Sequence, residues 1–305
     1  MEYIEITQRL QKVYDTGEAR ALARMVLEER FGMSLTDIMC GKVTELSREE
    51  CSELEKIIVR LEKNEPIQYI LGYAAFCGKT FHVAPGALIP RPETEEVVAE
   101  AYRMAQECSE GEVMRILDVG TGSGCIAISL ALMAREDGKL AEVTAWDISR
   151  EALAVAMKNN VALGAGVAFE EADILKKAGA LEIRKHSEET DTSGKQSPAD
   201  ESRLTLIVSN PPYICHKEKK DMERNVLDYE PHCALFVPDD DPLLFYRNIA
   251  RYALHTLKGG GGVVFEINRA YGKEVCTMLE SMGFSETKVL NDQYGNKRIV
   301  TARKI

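Results

Sequence analysis

The sequence predicts an α/β protein: a doubly wound, seven-stranded Rossmann-like sheet that closes with a C-terminal antiparallel hairpin, preceded by a small all-helical domain. Three observations predict it. From residue 113 onward, short apolar runs of strand length alternate with segments of helical spacing, as in a parallel sheet wrapped by helices. The last two runs, 284–290 and 298–303, are joined only by a short segment around 291–296. That link is too short for a crossover, so these strands must pair antiparallel. Residues 1–75 show helical spacing and no strand-like runs.

With 305 residues the chain has room for about two domains. The boundaries read from it are 1–75 for a helical docking domain, 76–92 for a connector carrying a β-hairpin, and 93–305 for the sheet domain. Hydrophobic residues make up 45% and charged residues 29%, an ordinary globular mixture. No apolar stretch approaches the ~20 residues of a membrane span. The acidic start, Met1-Glu2-Tyr3-Ile4-Glu5, lacks an apolar signal segment. No membrane partner and a cytoplasmic location are therefore expected. The 8 cysteines have no CxxC spacing and the 5 histidines no ligand spacing, so reduced thiols and no metal are expected. A net charge of −11 argues against unspecific binding to duplex DNA, which runs on phosphate neutralisation.

In the helical part, residues 19–31 carry apolar side chains at 22, 25, 26 and 27 between Gly17 and Gly32. Ser47 and Glu50 have capping-box spacing. Behind them Cys51, Leu54, Ile57, Ile58 and Leu61 form one stripe. In the connector, Pro66, Gly72, Gly78, Pro85, Gly86, Pro90 and Pro92 mark turns, and partial alternation through 76–83 predicts a short hairpin. Residues 94–106 have helical spacing behind early acids, Glu93, Glu95 and Glu96, which suit a helix N-terminus.

Strands are predicted at 113–119, 141–146, 166–169, 204–208 and 261–267, besides the two closing ones. The first runs into Gly120-Thr121-Gly122-Ser123-Gly124, and a helix follows from Cys125 to Ala134. Glycines let a backbone approach a ligand closely, and a helix N-terminus offers free N–H groups. A dinucleotide loop would need glycine at 125; the GxGxG pattern suits a ligand without a pyrophosphate. The second strand ends at Asp147, placed to accept from a ribose diol. The third is followed by Asp173 and Ile174, placed to meet an adenine's amino group and one ring face. All fall at strand carboxyl ends, where open α/β sheets bind ligands. Residues 187–202 contain no large apolar side chain, and a disordered surface insertion is predicted there.

The fourth strand leads into Asn210-Pro211-Pro212-Tyr213. Two prolines fix φ and remove two donors, so the carbonyls around them can face a ligand. Asn210 adds an acceptor oxygen and an NH2, and Tyr213 a flat ring. Such groups can grip a planar group bearing an NH2. The same residues also make an ordinary rigid turn; their company with the glycine loop and the two acids favours the ligand.

These blocks resemble class I S-adenosylmethionine-dependent methyltransferases, and more narrowly the release-factor glutamine N5-methyltransferases. The resemblance covers nearly the whole chain. It rests on Glu65-Pro-Ile-Gln-Tyr-Ile-Leu-Gly72, Leu88-Ile-Pro-Arg-Pro-Glu-Thr-Glu95, Asp118-Val-Gly-Thr-Gly-Ser-Gly124, Val208-Ser-Asn-Pro-Pro-Tyr-Ile214, Tyr229-Glu-Pro231 and Asp292-Gln-Tyr-Gly-Asn-Lys-Arg298, in that order. Two positions depart from the family pattern. Thr205 stands where an acid is common, and Ile174 where an aromatic ring is common, so packing rather than stacking on adenine is expected.

The resemblance implies S-adenosyl-L-methionine as cofactor, held by Gly120, Thr121, Gly122, Ser123, Gly124, Asp147, Asp173, Ile174 and Asn210. It implies methyl transfer to the glutamine amide of a Gly-Gly-Gln tip in class 1 peptide chain release factors. Asn210, Pro211 and Tyr213 would be catalytic, and Asn210, Pro211, Pro212 and Tyr213 would hold the substrate. No direct nucleic-acid partner and a monomer are expected. Glu266 lies at a strand end, where shaping the pocket and plain surface exposure fit equally well. Three alternatives remain open on the sequence. One is an adenine-N6 DNA or RNA methyltransferase, which would need a basic recognition region and a flipped base. The others are a ribosomal-protein glutamine methyltransferase and a cofactor-binding adaptor without catalysis.

Overall fold

Strands buried on both faces must be apolar at successive positions, and the strands at the centre of the sheet are. A computed structural model describes residues 1–180 and 203–305. The insertion predicted at 187–202 lies outside the described residues. Seven strands form one sheet: β1 (Met114–Val119), β2 (Ala141–Asp147), β3 (Ala168–Glu171), β4 (Leu204–Ser209), β5 (Leu257–Glu266), β6 (Phe284–Asn291) and β7 (Lys297–Lys304). Their order across the sheet is β6-β7-β5-β4-β1-β2-β3. Neighbours from β5 to β3 are parallel. β7 runs antiparallel to both β5 and β6, which gives the expected closing hairpin.

The two-residue period sorts the side chains into two cores. Ile116, Leu206, Val208, Val264 and Ile299 point to one, beneath helices Thr94–Ser109 and Cys125–Glu136. Leu117, Ile207, Val263, Phe265 and Val300 point to the other, beneath helices Leu244–Thr256 and Gly272–Ser281. Thr205, at the position where an acid was expected, is buried in β4, and its Oγ1 accepts the Arg115 N–H at 3.1 Å.

Two strands are displaced by more than one residue from the sequence reading. The third strand lies at Ala168–Glu171 rather than 166–169, because Thr144 to Asp147 of β2 pair with Ala168 to Glu171. At a sheet edge, exposed acids such as Glu170 and Glu171 are tolerated, so apolar content misplaces the strand. β5 starts at Leu257, ahead of the glycine run 259–262 that hid its beginning. The hairpin pairs Tyr73–Phe76 with Lys79–His82, and its turn residues Cys77 and Gly78 both take positive φ, as two-residue hairpins prefer.

The chain forms two compact units. One comprises Met1–Ala74, Val83–Pro85 and Met222–Glu230; the other comprises Ala75–His82, Gly86–Asp221 and Pro231–Ile305. In the first, helices Tyr3–Leu10, Thr16–Phe31 and Arg48–Leu61 bury Ile6, Leu10, Val26, Leu27, Leu54, Ile58 and Leu61. The Ser47–Glu50 capping box is present, and Gly32 ends its helix in the left-handed conformation. Of the apolar residues at 22, 25, 26 and 27, Val26 and Leu27 are buried, Leu22 is half-buried and Met25 is exposed; Ala19 and Ala23 take the inner face with Val26 and Leu27. In the same unit the Tyr229 hydroxyl donates to the Lys63 carbonyl at 2.9 Å. No helix among the described residues is long and apolar enough to cross a membrane.

Candidate active site

The carboxyl ends of β1, β2 and β4, with the segment after β3, open onto one pocket of about 240 Å³. The glycine loop after β1 is fastened from several sides. Gly120 and Thr121 donate backbone N–H groups to the Trp146 carbonyl at 2.8 and 2.9 Å. Gly122 N–H donates to Asp147 Oδ2 at 2.8 Å, and Thr121 Oγ1 to Asp118 Oδ2 at 2.6 Å. Asn159 Nδ2 donates to the Ser123 carbonyl at 2.9 Å. Gly124 caps the following helix at φ +82°. A Cβ there would sit 2.9 Å from Ile128 Cδ1 and 3.1 Å from Ala156 Cβ, so both conformation and space call for glycine.

Asp147 Oδ1 accepts the Ser149 N–H at 2.9 Å. Each Asp147 oxygen thus spends one acceptor site within the chain and keeps capacity toward the pocket. Asp173 Oδ1 accepts the Leu175 N–H at 2.9 Å, at the start of the helical stretch 174–180. After β4, Ser209 Oγ donates to the Val119 carbonyl at 2.6 Å, which anchors the Asn210-Pro211-Pro212 turn beside the glycine loop.

Eight of the residues singled out in the sequence line this pocket: Gly120, Gly122, Asp147, Asp173, Ile174, Asn210, Pro211 and Pro212. Four do not. Thr121, Ser123 and Gly124 turn inward to hold the loop and its helix. Tyr213 packs against the core with its hydroxyl donated to Glu266 Oε1 at 3.1 Å. Sequence reasoning missed other walls. Gly86, Ala87 and Leu88 line the pocket just before the Ile-Pro-Arg-Pro block, as do Phe245 and Ile249 of helix Leu244–Thr256. Cys233 and Ala234 arrive through a short parallel pairing of Ile214–Cys215 with Phe236–Val237. The Pro85-Gly86 turn signal was visible in the sequence; nothing there distinguished Phe245 or Ile249.

Burial governs the charges. The Asp118 carboxyl, 0% exposed, is pushed up to about 7 by burial, against the pull of the Thr121 hydroxyl. Among the described residues its Oδ1 has no hydrogen-bond partner. Burial also raises Asp147, opposed by the N–H groups of Ser149 and Gly122. Glu266 is 2% exposed and is not a surface acid. Burial raises its carboxyl, opposed by the Thr94 hydroxyl, the Arg298 charge and the Tyr213 hydroxyl. Tyr213 is raised by burial and by the Glu266 charge beside it. Among the described residues no cluster of three or more His, Cys, Asp or Glu could hold a metal ion.

A largely apolar pocket lined by two carboxylates and an amide-proline turn can take a nucleoside and present a second planar group to it. Comparison with known proteins identifies the family. The family model described as PrmC N-terminal domain matches residues 3–72, and that described as Methyltransferase domain matches residues 110–187. A release factor glutamine methyltransferase from Bacteroides thetaiotaomicron is 46% identical over 301 residues, covering 98% of this chain and 98% of that one. Another, from Flavobacterium psychrophilum, is 38% identical over 296 residues, covering 97% and 95%. A solved protein-(glutamine-N5) methyltransferase (release factor-specific) from Alicyclobacillus acidocaldarius aligns over 73% of this chain and 99% of that chain at 26% identity, with a TM-score of 0.39. Identity of this degree along nearly the full length of both sequences is decisive: the chain belongs to the release factor glutamine methyltransferase family.

Proposed function

We propose that this protein methylates the side-chain amide N5 of the glutamine in the Gly-Gly-Gln motif of class 1 peptide chain release factors. The methyl donor of this methyltransferase is S-adenosylmethionine. The observation that carries the substrate side is the Asn210 amide. It lines the pocket, and no hydrogen bond among the described residues engages its Oδ1. An acceptor in that position suits a substrate N–H.

The residues present fit the cofactor. Asp147 keeps acceptor capacity that would suit ribose hydroxyls; Ile174, Leu175, Phe245 and Ile249 would offer apolar surface to adenine, and the Asp173 carboxylate could accept from an amino group. The glycine loop brings backbone close without side chains. When bound, the cofactor supplies a methyl carbon already activated on a sulfonium.

The remaining task is alignment, because an amide nitrogen is a poor nucleophile. Asn210 Oδ1 and the Pro211 carbonyl each accept one N–H of the glutamine. They hold the nitrogen's lone pair toward the methyl and stabilise the positive charge that develops there. The alkylated nitrogen is acidic and gives up its proton to solvent water, with no strong base needed. Tyr213 holds the turn in place through its hydroxyl. The helical unit grips the release factor away from its tip, and the enzyme acts as a cytoplasmic monomer without binding nucleic acid directly.

The test is transfer of labelled methyl to purified class 1 release factor beside a Gln-to-Ala tip variant and a DNA control. Label on the unmodified factor alone is expected. Label on DNA alone overturns the reading.

A further inference from the structure

An asparagine amide can present either its oxygen or its NH2, and only the oxygen accepts a substrate N–H. In this structure Asn210 Nδ2 donates to Thr94 Oγ1 at 3.4 Å. Thr94 has one hydroxyl proton, and it is given to Glu266 Oε2 at 2.7 Å. Toward Asn210, Thr94 can therefore only accept. Glu266 takes a second hydroxyl, that of Tyr213, at 3.1 Å. Glu266 accepts from both hydroxyls, one on each oxygen, and this arrangement sets the direction of the bonds in the chain.

Three separate elements supply the groups. Thr94 opens helix Thr94–Ser109, Glu266 ends β5, and Asn210 and Tyr213 follow β4. Thr94 is 3% exposed and Glu266 2%. Other groups around the carboxylate are engaged elsewhere or act at a distance. Arg298 donates to Asp292 Oδ2 at 3.2 Å, and the Tyr246 hydroxyl donates to the Glu266 backbone carbonyl at 3.1 Å. Glu93 acts on Glu266 through charge alone. Burying a carboxylate between two hydroxyls is a costly way to join helix and strand, since apolar side chains of similar size do so more cheaply. What the carboxylate adds is polarity.

We infer that Thr94 and Glu266 are positioning residues that fix the orientation of the Asn210 amide, turning Oδ1 toward the acceptor nitrogen. This rests on the proposed role of Asn210. Without the relay, the Thr94 hydroxyl is free to donate to Oδ1. The Asn210 NH2 would then face the substrate NH2, donor against donor.

The test uses the full-length enzyme with Thr94→Ser, Thr94→Ala and Thr94→Val. Serine keeps the hydroxyl and alanine does not, while valine keeps the shape of threonine without the hydroxyl. Thr94→Ser is expected to keep kcat within about twofold of wild type. Thr94→Ala and Thr94→Val should lose roughly tenfold to a hundredfold in kcat, since small misplacements cost this much. Their KM for release factor and their affinity for S-adenosylmethionine, read by calorimetry, should stay within about threefold. Should the valine variant not fold, the serine–alanine pair decides.

Equal kcat for serine and alanine overturns the inference. So does a loss of kcat matched by an equal loss of cofactor affinity. A neutron structure of the wild-type protein reads the amide directly, independently of activity. Deuterated Nδ2 facing Thr94 supports the inference, and Nδ2 facing the pocket overturns it. If wild-type enzyme labels no release factor, the substrate reading fails while the neutron result still decides the orientation.

Discussion

Asp147 Oδ2 accepts the backbone N–H of Gly122 at 2.8 Å, which joins the tip of β2 to the middle of the glycine loop. One carboxylate thus holds the loop while facing the pocket. Asp147→Ala should weaken S-adenosylmethionine binding at least about tenfold, given that hydrogen bonds to charged groups contribute roughly 1.5–3 kcal/mol each. Calorimetric titration checks this. The turnover of the saturated variant should change far less than its affinity.

Gly124 leaves no room for a side chain. A Cβ would meet Ile128 Cδ1 at 2.9 Å and Ala156 Cβ at 3.1 Å, on a residue at φ +82°. Gly124→Ala should cost about 2–4 kcal/mol through overpacking and left-handed strain. Gly122→Ala meets nothing within 4 Å and should cost only the strain, about 1–2 kcal/mol. Urea denaturation of the two variants compares them directly.

Asn159 ties the glycine loop to the hairpin. It is 1% exposed; its Nδ2 donates to the His82 and Ser123 carbonyls at 3.0 and 2.9 Å, and its Oδ1 accepts the His82 N–H at 2.7 Å. Truncation to alanine strands these partners in the interior. A loss of about 2–4 kcal/mol in chemical denaturation is expected for Asn159→Ala. A loss below about 0.5 kcal/mol would mean that water replaces the amide at little cost.

Asp118 makes stability depend on pH. Its carboxyl is raised from 3.8 to about 7, chiefly by burial. Between those values the folded chain holds a proton that the unfolded chain has released. The contribution of this group to stability is therefore present at low pH and lost as pH rises toward 7. The full effect is on the order of 4 kcal/mol. Asp118→Asn removes it. The stability difference, variant minus wild type, should grow from pH 5 to pH 8. Parallel pH curves would refute the assignment.

The sheet was legible because its strands are two-sided. Ile116 and Leu117, or Leu206 and Ile207, serve opposite cores, so an unbroken apolar run reads as a central strand. The edge strand was harder, since Glu170 and Glu171 belong to it and carry no apolar signal. In the site, the residues at strand ends stood out because glycines, acids and prolines punctuate a sequence. The walls from Phe245 and Ile249 did not, since an inward-facing residue of an amphipathic helix looks alike whether it meets a core or a ligand. The bond between Thr94 and Glu266 spans 172 positions and leaves no local trace; only the fold brings the pair together.

The two compact units are interleaved along the chain, which passes from one to the other after residues 74, 82, 85, 221 and 230. A single genetic crossover near the first of these points would therefore exchange only part of the first unit. The segment Met222–Glu230, whose Tyr229 bonds the Lys63 carbonyl, would stay with the old parent. Inheritance in this architecture favours the whole chain over its parts, and a chimera joined at residue 75 should recover its stability when the 222–230 segment is taken from the same source as the helices.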